Sequence, residues 1–146
     1  MARISLDPPQ TLGYPLGREL KDLAVMAVAA TIGCASCLDF GYWETTVSHA
    51  VPAEKIPDTA NWPDSQVFSK LELLVMEYAE AMTATPPRVT GATVEALLQY
   101  LNEAQLVELT AIVAVENLRS RISSALGLTA QGFMDRELPA ADPAPR

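Results

Sequence analysis

Histidine occurs once in this chain of 146 residues and cysteine twice, while basic residues number 10 against 18 acidic ones. Each shortage excludes something. Two cysteines make at most one bridge within the chain, which is not the disulfide framework of a small secreted domain. A closed zinc site wants four ligands, and two cysteines with one histidine do not supply them. His49 also stands twelve residues past Cys37, roughly 18 Å along one helix at about 1.5 Å per residue. Its expected role is a polar residue near a helix C-terminus, where positive charge is favoured. No metal and no cofactor are expected. A formal net charge of -8 repels phosphates and anionic lipid, so neither nucleic acid nor a membrane is an expected partner. Long apolar runs are missing as well. The most apolar one, "LAVMAVAATIG" over 23–33, is about half of the roughly 20 residues a membrane helix needs. "MARISLDPPQ" lacks the apolar region of a signal peptide. No convincing strand pair or repeat occurs. The expectation is a soluble, cytoplasmic, all-α protein.

What is present fits one domain over 1–146, long enough to bury a core without staples. Pro8, Pro9, Gly13 and Pro15 mark residues 1–16 as an irregular arm. Residues 17–128 read as a helical core of five or six helices, and 129–146, ending in "ELPAADPAPR", as a partly disordered tail. Leu20, Leu23, Ala24, Ala27 and Val28 keep helical spacing over 17–31. Gly33 breaks that helix. A second runs from Cys34 to about Ala50 and is ended by Pro52. "VPAEKIPDTANWPDS" is a connector with three prolines. Ser69 and Glu72 make a capping box for 70–84. After the break "TPPRVTG", Thr90 caps 91–101, Asn102 caps 103–126, and Gly127 ends the last helix.

Both cysteines stand in "GCASCLDFGYW", residues 33–43. A Cys34 that opens a helix lies near unpaired N–H groups and the positive end of the macrodipole, which lowers a thiol pKa. Cys37, three residues on, lies on the same face within disulfide reach. In a cytoplasmic protein such a pair is more often catalytic or metal-binding than structural. Two small apolar residues filling core space is the plain alternative.

With "AVAATIGCASC", "WPDS", "LELLVMEYAEAMT" and "LVELTAIVAVENLRSRISSALG" taken together, the chain resembles the carboxymuconolactone decarboxylase family, in its alkyl hydroperoxidase D-like branch. The resemblance runs from about Leu20 to Leu128. It implies a compact all-α fold assembling as homo-oligomers, trimers or larger rings. It also implies a cysteine pair that reduces hydroperoxides and is reset by an external dithiol, with Cys37 as nucleophile and Cys34 as its partner. Other branches carry out decarboxylase-type chemistry without the pair. The branch places a glutamate twelve residues before the first cysteine, where this chain has Asp22. It places a histidine four after the second, where this chain has Gly41. Without that imidazole, Cys37 depends on other groups for deprotonation.

Asp22 interrupts an apolar helix between Leu20 and Leu23. It is a proton carrier beside the thiols, a partner of Arg18 or Arg121, or a residue on a solvent face. Glu116 follows five apolar residues in "AIVAVENL" and is either a replacement acid-base group or the partner of Arg119 or Arg121. Glu44, two turns past Cys37 on its face, reads as a solvated helix residue. Gly41 costs about 1 kcal/mol against alanine in a helix and opens room for a packed neighbour or a ligand. Tyr42 and Trp43 beside it suggest an apolar pocket or core filling. Asn117 and Arg121 read as structural. Two rival functions stand beside the thiol peroxidase: a redox-sensing or non-catalytic oligomer, and decarboxylase-like chemistry on a small organic acid, for which no residue constellation speaks.

Overall fold

A computed structural model describes residues 15–133 and 135; the first 14 residues of the arm and all of "ELPAADPAPR" lie outside them. Every regular element among the described residues is helical. In chain order these are α1 (Arg18–Ile32), α2 (Ala35–Ser48), a 3-10 helix (Ile56–Asp64), α3 (Lys70–Thr83), α4 (Gly91–Leu97) and α5 (Glu103–Ala125). The all-α expectation holds. None of these helices is long and apolar enough to cross a membrane.

The helix starts follow from their caps. Ser69 and Glu72 close a capping box at α3, and Asn102 with Gln105 closes another at α5. The Thr90 hydroxyl accepts the Thr93 N–H at α4, 3.2 Å away. One expectation needs correction. The helix expected over 91–101 stops at Leu97, because Asn102 must be extended to cap α5 and the chain turns to reach it. Within the proline-rich connector, Pro57 stands in the first turn of the 3-10 helix, where its missing N–H costs nothing.

Helix α1 is the hub, packing against α3, α5 and α2. Leu23, Ala24, Ala27 and Val28 face Val75, Met76, Leu106, Leu109 and Val113 in one core. Burying such side chains stabilises by roughly 1.5–3 kcal/mol each. Charged pairs fasten the edges of this core. Lys55 donates to Glu72 at 2.5 Å and to Glu19 at 3.0 Å, tying the connector to α3 and α1. Lys21 pairs with Glu108, whose other oxygen accepts the Leu16 N–H at 2.7 Å. Leu16, just ahead of α1, is thereby tied to α5.

Candidate active site

No loop separates α1 from α2. Gly33 takes the left-handed conformation, φ 75°, that ends α1, a backbone geometry glycine adopts without a Cβ penalty. Its N–H reaches Ala29 and Ala30 carbonyls, and the Cys34 N–H reaches Ala29 O at 3.0 Å, the 6→1 bond of a Schellman ending. Cys34 is then already the N-cap of α2, accepting the Cys37 N–H on its Sγ at 3.3 Å. One residue thus closes one helix and opens the next. The two cysteines are joined in a disulfide with Cα atoms 5.3 Å apart. They are not equivalent: Cys34 is 2% exposed, whereas Cys37 is half-buried. Ser36 Oγ also lies 3.5 Å from the Cys34 sulfur.

The expected room at Gly41 is filled by a packed neighbour. A Cβ on this buried glycine would stand 2.5 Å from the Met26 sulfur. Helices α1 and α2 run antiparallel, so Met26 reaches α2 one turn beyond Cys37. On the other side of Cys37, Phe40, Trp43 and Phe133 pack together with ring centroids 5.4 to 5.8 Å apart. Phe133 arrives from the C-terminal segment. Asp39 accepts the Gln131 N–H at 2.7 Å and the Phe133 N–H at 3.1 Å on one carboxylate oxygen. Sequence reasoning missed Met26, Asp39 and Phe133. The one available signal was the acidic Asp39 among the apolar residues of "CLDFGYW".

The candidate proton carriers sit along the same α1–α2 face and on α5. Arg18 Nε donates to both Asp22 oxygens at 3.2 and 3.3 Å, and its Nη2 donates to Glu44 at 3.1 Å. Glu44 is exposed but paired, not merely solvated. Burial raises the Asp22 pKa above the ordinary carboxylate value; Arg18 opposes the shift and Glu44 adds to it. Glu116 is buried at 2% exposure. Burial raises its pKa too, partly offset by Ser120, which donates at 2.7 Å, and by Arg119, 3.5 Å away. Glu44 again pushes upward. The three carboxylates thus share one electrostatic neighbourhood. A groove of about 330 Å³ runs between Val25 of α1 and Ala111, Ile112 and Val115 of α5, with Glu116 and Arg119 along it. His49 caps the far end of α2, away from the sulfurs, in a left-handed conformation with φ 51°. Asn117 donates to Thr83 Oγ1 and Arg121 to the Thr83 carbonyl, which fastens α5 to the end of α3.

No protein-family profile matches the chain. It is 33% identical over 119 residues to the uncharacterized protein YnjA of Escherichia coli (strain K12), covering 82% of this chain and 65% of that protein. Its fold is similar to that of the debrominase Bmp8, with a TM-score of 0.74 at 21% identity, covering 82% of this chain and 64% of the debrominase. It is also similar to an Agrobacterium tumefaciens protein of unknown function, suggested to be the antioxidant defence protein AhpD. There the TM-score is 0.64 at 19% identity, over 78% of this chain and 80% of that one. The chain therefore spans about two thirds of the length of YnjA and of the debrominase. At these identities the structural likeness speaks for architecture alone: the helices are arranged as in the debrominase and the Agrobacterium protein, and in this chain a cysteine pair stands at the start of the second.

Proposed function

We propose that this protein is a dithiol oxidoreductase in which Cys37 and Cys34 deliver two electrons to a hydroperoxide. The observation that carries the reading is the unequal pair at the start of α2, with Cys37 half-buried and Cys34 buried as the N-cap. The Cys37 thiolate attacks the terminal oxygen of the hydroperoxide. The S–O bond forms, the O–O bond breaks, and the alkoxide leaves and takes up a proton as the alcohol. Cys34 then attacks the sulfenic sulfur of Cys37, the disulfide forms, and water leaves. An external dithiol resets the pair by attacking Cys37. The departing Cys34 thiolate is stabilised by the Cys37 N–H and the helix N-terminus, and a stabilised thiolate leaves faster. Asp22 and Glu116, whose pKa values burial raises, are the groups proposed to move protons. The setting is a reducing cytoplasm that supplies the dithiol.

The test is hydroperoxide turnover with dithiothreitol as the supplied dithiol. Cys37→Ser should abolish turnover. Cys34→Ser should allow one oxidation of Cys37 and no intrachain disulfide by mass spectrometry. Wild type without turnover, forming a reversible disulfide, would favour a redox-sensing oligomer.

The likeness to the debrominase supports a second reading. The Cys37 sulfur would take a halogen from an aromatic carbon, which gains a proton, and Cys34 would displace halide as the disulfide forms. A cysteine-to-alanine variant of that debrominase was crystallised with 2,3,4-tribromopyrrole. Bromide release from a bromopyrrole in the presence of dithiothreitol separates this reading from the first.

Assembly belongs to the same proposal. Val115, Leu118, Ile122 and Leu126 are exposed at helical spacing along α5, beside the apolar groove, and a second copy is the occupant proposed for them. Light scattering should give a multiple of the 15.7 kDa chain, and Leu118→Asp should reduce it; a wild-type monomer would remove this part of the proposal.

A further inference from the structure

At about 100° per residue along a helix, Phe40 and Gly41 fall on opposite sides of the line through Cys37. The Gly41 side is closed by Met26 of α1. The Phe40 side is lined by three touching rings, Phe40, Trp43 and Phe133. All three are half-buried, so part of their surface is open to solvent, as is Cys37. None belongs to the main core built by α1, α3 and α5.

Asp39 helps to hold Phe133 at this place. A carboxylate 7% exposed is costly unless its oxygens are satisfied. Asp39 gives one oxygen to two backbone N–H groups of the C-terminal segment, Gln131 and Phe133. The clamp lies two residues beyond the reachable sulfur and fixes one ring of the cluster against the other two.

We propose that Phe40, Trp43 and Phe133 form the specificity-determining wall of the Cys37 site, and that residues 129–133, held by Asp39, belong to that site. The wall takes a substrate carrying a flat aromatic group next to the reacting atom. Ring edges and faces arranged this way favour an aromatic guest over an aliphatic one of similar size. The reaction at that guest rests on the dithiol reading above; binding to the wall does not.

Two hydroperoxides of matched reactivity separate the cases: cumene hydroperoxide and tert-butyl hydroperoxide, with dithiothreitol as reductant. The wild type should prefer the aromatic one in kcat/KM. Phe133→Ala should reduce that preference by about tenfold, through KM. Asp39→Ala should move it the same way by releasing the clamp. Phe133→Leu, which keeps apolar bulk, decides if the alanine variant fails to fold. Trp43 and Trp62 are the two tryptophans of the chain, so Trp62→Phe leaves Trp43 as the only tryptophan, to be excited selectively. Titration with the unreactive alcohol 2-phenyl-2-propanol should then change its fluorescence saturably, and Phe133→Ala should weaken this response. A ratio unchanged in folded Phe133 variants, or no saturable response, overturns the wall. Saturable binding without any hydroperoxide turnover keeps the wall and removes the hydroperoxide reading instead.

Discussion

Two regions of this bundle bury a glutamate, and they treat it in opposite ways. At the start of α3, burial works against the Glu72 charge, but Lys55, Glu19 and Ser69 outweigh it and hold the carboxyl at about 2. Its two oxygens accept the Lys55 ammonium and the Ser69 N–H. On α5, Glu116 has one hydroxyl donor and an exposed guanidinium 3.5 Å away, and burial prevails, raising its pKa. Glu72 has an ammonium and a backbone N–H close at hand, whereas Glu116 has a hydroxyl and a more distant guanidinium to set against its burial. The first carboxylate is a permanent charge that fastens the fold. The second, near Glu44 and the α1–α2 face, is suited to exchanging a proton.

The largest effect should come from breaking the first region. Lys55→Met leaves Glu72 buried without its cation and should cost about 3 kcal/mol at neutral pH, read from urea denaturation. The folded pKa of Glu72 lies below its ordinary 4.5, so its stabilisation is complete above that value and is lost as pH falls toward about 2. Wild type and variant should therefore converge only as pH falls to about 2 and below. An equal deficit at every pH would mean that the lysine acts through its apolar stem.

The opposite sign is expected at Glu116. A raised folded pKa means that the native state holds the proton more tightly than the unfolded chain does. Stability is then lost as pH rises from the unfolded value through the folded one. Glu116→Gln should stabilise by about 1 kcal/mol at pH 7 and change little at pH 4, measured by thermal melts at both. If Glu116 also carries protons, the same variant should slow Cys37 oxidation near neutral pH. Slower oxidation with unchanged stability would mean that the carboxylate is paired as firmly as Glu72.

The smallest effect concerns the space beside Cys37. Gly41→Ala gains about 1 kcal/mol of helix propensity and loses a similar amount against Met26, whose flexible end must move. Its stability should stay within about 1 kcal/mol of wild type. Gly41→His alone should change the rate of Cys37 oxidation little, because the Met26 sulfur stands where the new side chain begins. Paired with Met26→Ala, the imidazole has room and should accelerate oxidation near pH 7 by less than about tenfold, well short of a positioned general base. Acceleration by Gly41→His alone would show that Met26 yields readily.

Legibility in the sequence followed the range of each interaction. Ser69, Thr90 and Asn102 marked helix starts because a cap is settled within four residues. Cys34 and Cys37 were legible as a pair for the same reason. The 3-10 helix was not, since Pro57 and Pro63 hide a helical turn behind a loop composition. The aromatic group beside Cys37 depends on Asp39 reaching residues 92 and 94 positions away, and no spacing rule covers that distance. Met26 filling the notch at Gly41 depends on the crossing of two helices, which periodicity does not specify. Asp22 and Glu116 stood out as charges in apolar runs, but how each is partnered emerged only from the assembled bundle.

The junction at Gly33 and Cys34 also bears on what the thiol cycle asks of the rest of the molecule. A crosslink that spans two intervening residues removes little chain entropy from the unfolded ensemble, since that restraint grows with loop length. The helix turn has already brought the two Cα atoms within bridging distance. By the thermodynamic cycle, a bond that adds little to folding is itself little strengthened by folding. Opening and closing it should leave the core of α1, α3 and α5 undisturbed, so each turnover draws on the chemistry of two sulfurs and not on the architecture that holds them.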